Sequence, residues 1–154
     1  MLFRSRALSV GPDGSSRRPD NPRDWQYSGT WFDPARSGEG WLVQQSGAPL
    51  ERLTSVVWFT YDLDGQALWL TGTAIEQDGR VDLTLYRTGG TRFGADFDAG
   101  DVTMSVFGQL RFDFSDCGHA HLEFAADDAR YGAFDRDLVR LTRPDVVSAE
   151  CASP

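Results

Sequence analysis

The chain of 154 residues contains no lysine, and all 15 of its cationic side chains are arginine. A P-loop lysine and a Schiff-base lysine are therefore both excluded. Histidine is nearly as scarce. His119 and His121 are the only two, so any imidazole acid–base chemistry would have to use them. The two cysteines, Cys117 and Cys151, lie 34 positions apart. That is no zinc spacing, and no further thiol exists to complete a structural metal site. No apolar run is long enough to cross a membrane, so membrane insertion is not expected. Met1–Ser9 is basic at its start but is followed by GPDGSSRRPDNPRD rather than by the apolar core of a signal peptide.

Positive charge is also in deficit. With 23 Asp and Glu the formal net charge is −8. Residues 1–24 carry five Arg against three Asp, so the remainder holds −10. A nucleic-acid partner for the folded part is not expected on that ground. Glycine patterns that cradle a dinucleotide or a phosphate ahead of a helix are absent. Ser37 lacks the glycines two places before and after it that a nucleophile elbow needs.

What the chain has is aromatic surface. Ten Phe, five Trp and four Tyr bring the aromatic share to 12%, and such residues favour pleated, half-buried surfaces. The length suits one domain with a substantial core. The Gly-, Pro-, Ser- and charge-rich residues 1–23 read as a disordered tail, and 24–151 as the folded domain. Trp25, Tyr27, Gly29 and Trp31 share one parity of a first strand that Pro34 ends. Trp41 and Val43 share one face of a second strand. In 53–61, Leu53, Val57, Phe59 and Tyr61 oppose Val56 and Trp58. Asp62–Gly65 is a hairpin turn leading to 66–73, where Leu68 and Leu70 oppose Ala67 and Trp69. A turn at Asp78-Gly79 precedes a strand with Val81, Leu83 and Leu85 on one face.

A glycine-rich connection over 87–101 needs anchors, and Phe93 and Phe97 are expected to pin it to the body. From Val102 to Phe114 every second residue is expected on one face, with Gly108 marking a bend or bulge. Ala120, Leu122 and Phe124 continue inward, and a last strand is predicted over Asp137–Thr142. Helical periodicity is missing throughout. The expected fold is an all-β antiparallel meander of about eight or nine strands, closed or partly closed into a barrel.

The candidate chemistry follows from this layout. His119, His121 and Glu123 alternate along one strand and could ligate a metal, but the same parity describes a solvated outer face. Asp62 and Asp64 resemble part of a calcium loop, yet the twelfth position, counted from Asp62, is Thr73 rather than an acid. Asp33, Glu39 and Asp62 flank the aromatic region and could act as a glycosidase pair if their separation allowed it. No cofactor is indicated. Trp31, Trp41, Trp58, Tyr61 and Trp69 are either core and cross-strand pairs or a platform for a sugar ring or small apolar ligand. Cys117 and Cys151 are either bridged, for about 3–4 kcal/mol in the loop-entropy view, or two free thiols. A bridge would imply an oxidising compartment.

Gly29-Thr30-Trp31 is similar to the GxW opening of lipocalin-like and avidin-like barrels, from which Asp33-Pro34 and the following glycine loop depart. A closer likeness lies in GTWFDPARSGEGW at 29–41, VVWFTYDLDGQALWLTG at 56–72 and LYRTGGTRFG at 85–94. Together these resemble an uncharacterised bacterial family of exported β-domains, over about residues 27–143. The resemblance implies a secreted or envelope location, no catalytic residue and no established activity. It also favours the cysteine bridge, because a Cys often stands at each of the two positions. The expected function is a non-catalytic module binding a carbohydrate, small ligand or envelope partner through its aromatic face. The alternatives are a purely structural module, or a hydrolase using the carboxylates near the glycine loop.

Overall fold

The computed structural model describes residues 27–47 and 51–142. The predicted tail, Trp25 and Cys151 lie outside the described residues. Eight strands follow one another: β1 Gly29–Phe32, β2 Gly40–Ser46, β3 Leu53–Tyr61, β4 Ala67–Ile75, β5 Arg80–Gly89, β6 Thr103–Phe114, β7 His119–Ala126 and β8 Ala133–Arg140. Each pairs antiparallel with the next, and β8 returns to β1, so the meander closes into a barrel.

Local chemistry explains the connections. In the β3–β4 turn the Asp62 carboxylate accepts from the backbone N–H of Asp64 (3.0 Å) and Gln66 (2.8 Å). Gly65 supplies the positive φ of 75° that closes this turn. In the β4–β5 turn Asp78 and Gly79 both have positive φ, 52° and 82°. That conformation matches the right-handed twist of a tight hairpin.

The interior is full. Trp31, Trp41, Leu70, Leu85, Leu110, Phe112, Leu122 and Leu138 are all buried to within 2% of completely. An eight-stranded barrel is just wide enough for side chains to fill or for one small ligand. Here the aromatics take that space. Trp41 stacks on Trp58 at 5.5 Å, Trp58 meets Phe124 edge-on at 5.0 Å, and Phe112 stacks on Phe114 at 5.3 Å.

The two ends differ. At the end holding the β2–β3, β4–β5 and β6–β7 connections, Tyr27 stacks flat on Phe114 at 4.3 Å and covers the opening. Beneath it Gln45 is fully buried; it accepts from Tyr27 N (3.1 Å) and donates to Thr54 Oγ1 (3.0 Å). A largely buried ion pair, Arg52–Glu76 at 3.0 Å, packs alongside. Arg140 ties this end to Cys117 O (2.9 Å) and to Ser28 O. The opposite end carries the β1–β2 loop, the β3–β4 turn, the 90–102 connection and the β7–β8 turn, and it is open.

Three expectations need correction. Val102, Met104 and Val106 do not share the inward face of Gly108–Phe114; all three are exposed. Leu85 pairs with Gly108 and Tyr86 with Val106, so Phe107 is a bulge that reverses the parity of the strand. Phe93 and Phe97 do not pin the 90–102 connection, since both are exposed. Polar contacts order it instead: Asp98 N donates to Thr91 Oγ1 (3.0 Å), and Asp98 Oδ1 accepts from Gly100 N (2.7 Å) at the second of two single-turn 3₁₀ segments. The last strand runs over Ala133–Arg140 rather than 137–142, because the β7–β8 turn needs only the residues up to Gly132.

Gly108 is required for close approach. A Cβ placed there would lie 2.3 Å from the Ala125 carbonyl oxygen. Gly108→Ala should therefore cost about 1–3 kcal/mol in urea unfolding, whereas Met104→Ala, on the exposed arm, should change stability by less than about 0.5 kcal/mol.

Candidate functional site at the open end of the barrel

The sequence segments singled out above converge on the open end. The loop 33–39 lies between β1 and β2, Trp58–Asp62 ends β3, and Gly89–Phe93 leaves β5. Antiparallel alternation puts these connections on one side of the barrel, although they are far apart in sequence.

The site has an inner and an outer part. The inner part is a mouth pocket of about 110 Å³. Its walls are Trp58, Phe107, Phe124 and Phe134, and its polar groups come from Glu39, Thr60, Tyr61, Tyr131 and Arg136. Arg136 donates to Glu39 Oε1, and Thr60 Oγ1 donates to Glu39 Oε2 at 2.9 Å. The Arg136 guanidinium also lies 3.9 Å above the Phe134 ring. The Glu39 and Arg136 side chains are largely buried, so each charge depends on the other. Phe107, the bulge residue, meets Tyr131 edge-on at 4.7 Å and closes the far wall.

Trp58 is 4% exposed, and its Nε1–H finds no hydrogen-bond acceptor among the described residues. The same holds for Trp41, which stacks on it. An unpaired buried donor is costly, and most buried polar groups avoid that state.

The outer part is a shelf on the β3–β4 hairpin. Phe59 and Trp69 are register partners on adjacent strands, and Tyr61 follows on the same face. They are 53%, 51% and 54% exposed. With Gly38, Ala67 and Leu68 they border a groove of about 180 Å³. Thr60, Tyr61 and Leu68 border both pocket and groove, so the two parts meet at the rim.

This geometry divides the five aromatics proposed for ligand contact. Trp31 and Trp41 are fully buried core residues and present no surface. Trp58 lines the pocket, and Tyr61 and Trp69 form the shelf. Phe59, Phe107, Phe124, Phe134 and Arg136 join the site without having been singled out for it, and Glu39, weighed above as a hydrolase carboxylate, joins it as the partner of Arg136. A signal existed for one of them. In β8 the inward parity reads Phe134, Arg136, Leu138, Arg140, and a cation in a core-facing row is unusual.

The acidic candidates are engaged structurally. Asp33 Oδ1 accepts from Ala35 N (2.8 Å), Asp62 caps its turn, and Glu39 holds Arg136 and Thr60. The His119–His121–Glu123 row is on the outer wall, each member with its own partner. His119 Nδ1 lies 2.9 Å from Asp116, His121 Nδ1 lies 2.8 Å from Asp137, and Glu123 accepts from Arg111 at 3.0 Å. No group of three His, Cys, Asp or Glu among the described residues is placed to hold a metal. A larger shallow depression of about 270 Å³ on this wall is lined by Asp82, Arg111 and Glu123, which satisfy one another. No helix among the described residues is long and apolar enough to cross a membrane. The outer wall of β5–β8 also bears Arg80, Asp82, Arg111, His121 and Glu123 in place of the apolar band of a lipid-facing barrel.

No protein-family model, curated protein or solved structure matches the chain.

The outer-wall histidine yields a pH prediction. The hydrogen bond to Asp137 raises the His121 pKa, burial opposes it, and the Asp137, Asp135 and Glu123 charges add to it. A raised folded-state value means that the stabilisation is fully present below the unfolded value of about 6.5 and is lost as pH rises through the folded value. In an NMR titration the His121 midpoint should lie above the ordinary histidine value of about 6.5, and Asp137→Asn should lower it.

Proposed function

We propose that this protein is a non-catalytic binding module that takes a neutral carbohydrate on the aromatic shelf of the β3–β4 hairpin. The observation that carries the reading is the shelf itself. Phe59, Tyr61 and Trp69 are each more than half exposed and side by side on one hairpin, while the barrel behind them is already filled. Burying these rings would remove apolar area from water, so leaving them wet is unfavourable unless a ligand covers them. A sugar ring offers an apolar C–H face to such rings and hydroxyls around its edge. Tyr and Trp suit that contact because each joins an apolar body to a polar tip. Gln66 and the turn carboxylates Asp62 and Asp64 supply polar partners nearby. The formal charge of −8 favours a neutral ligand over a phosphorylated one.

The hairpin suits the role mechanically. All nine β3 residues pair with β4, so the shelf is held on a continuous ladder rather than on a loop. A platform fixed before binding loses little conformational entropy when the ligand arrives.

Export from the cytoplasm is part of the same proposal and rests on the family resemblance. A Cys117–Cys151 bridge would agree with it. Cys117 is buried in the β6–β7 turn beside the end of β8; its proposed partner lies outside the described residues.

Titrating the protein with a panel of neutral oligosaccharides, read by tryptophan fluorescence and calorimetry, tests the shelf. Trp69→Ala should abolish binding while changing stability by less than about 0.5 kcal/mol. Trp41→Ala should instead cost about 3–5 kcal/mol of stability, the range for truncating a large core aromatic. Binding that survives Trp69→Ala, or a panel with no binder, sinks the reading. For the bridge, the unreduced protein should take up no thiol-alkylating label under denaturing conditions, and labelling of either cysteine would remove it.

A further inference from the structure

We infer that the mouth pocket is the acetamido subsite of the shelf, which makes the ligand a 2-acetamido sugar. The inference rests on the shelf reading and specifies its substrate class. Three observations lead to it.

The first is size. A cavity of about 150 Å³ holds a benzene ring of six heavy atoms, so 110 Å³ admits roughly four non-hydrogen atoms on the same scale. A hexose ring cannot enter. An acetamido group, with a methyl carbon, a carbonyl carbon, an oxygen and a nitrogen, can.

The second is chemistry. An acetamido group brings an acceptor, a donor and a methyl, and the pocket offers a counterpart for each. For the carbonyl there are the N–H donors of the Arg136 guanidinium, which keeps donors beyond the one given to Glu39. For the amide N–H there are the oxygens of Glu39 and Thr60. For the methyl there are the faces of Phe107, Phe124 and Phe134. The Glu39–Arg136 pair is neutral overall, which suits an uncharged group. A carboxylate in the same space would lie against Glu39, and an ammonium against Arg136.

The third is position. Tyr61 and Thr60 border both the pocket and the groove. A substituent entering the pocket therefore leaves its parent ring at the rim, next to Tyr61 and within reach of the shelf. Neither part alone would select a sugar of this class. The shelf reads the ring and the pocket reads what hangs from it.

The test compares N,N′,N″-triacetylchitotriose with cellotriose, which carries a hydroxyl in place of each acetamido group and is equally uncharged. A free-amine trimer is a poor control, because its positive charge would be attracted to an acidic protein whatever the pocket does. By calorimetry the acetylated trimer should bind roughly tenfold or more tightly, the scale of one or two hydrogen bonds. In addition, the acetyl methyl resonance should shift upfield on binding and show NOEs to the ring protons of Phe107 or Phe124. Equal affinity for the two trimers, or an acetyl methyl without contacts to those rings, overturns the subsite and leaves the shelf standing. Binding of neither trimer, nor of any neutral oligosaccharide, overturns both.

Discussion

The stack of Trp41 on Trp58, with Phe124 and Phe134 set edge-on against the second ring, is the contact on which the rest of this structure depends. Eight short strands close only if something fills the narrow space between them. Small side chains would leave voids, and each void forfeits dispersion contacts along its lining. Large rings from β2, β3 and β7 meet near the axis and hold opposite walls together. Those rings occupy the centre, and the pocket and groove lined by the described residues are displaced to the open end and the β3–β4 hairpin.

That displacement is asymmetric. At one end Tyr27, Gln45, Thr54 and the Arg52–Glu76 pair cover the core through hydrogen bonds and an ion pair. At the other the core stops at Trp58, and the next inward positions are Thr60, Glu39 and Arg136. The barrel therefore grades from apolar to polar along its axis, and the gradient ends in a pocket with donors and acceptors of its own. The bulge at Phe107 contributes as well. It reverses the strand so that Phe107 packs toward the core while Val106 and Met104 turn outward.

Much of the architecture is legible in the order of residues. Strand parity in 53–61 and 67–70 is correct residue by residue, because period-two alternation is a local property that closure leaves intact. The turns at Asp62–Gly65 and Asp78-Gly79 are equally readable, since a carboxylate cap and a positive φ are set within a few residues. Parity across Val102–Phe114 was not readable. Gly108 announces a bend or bulge in TMSVFGQLRF, but not that one unpaired residue, Phe107, reverses the parity before it, because the register shift belongs to the pairing with β5. Nor was the exposure of Phe93 and Phe97: hydrophobicity alone cannot say whether a neighbour is near enough to bury a ring.

The sequence by itself determined the fold class, the turns, and the division of each strand into two faces, because these follow from backbone geometry over spans of a few residues. Only the tertiary structure decided which tryptophans are dry and which are wet. Trp41 and Trp69 have similar local surroundings, and they differ because closure of the barrel turns one face of every strand inward. Only the tertiary structure could join Glu39 to Arg136, 97 residues away. That pair forms because β8 returns to β1, a contact that no local pattern encodes.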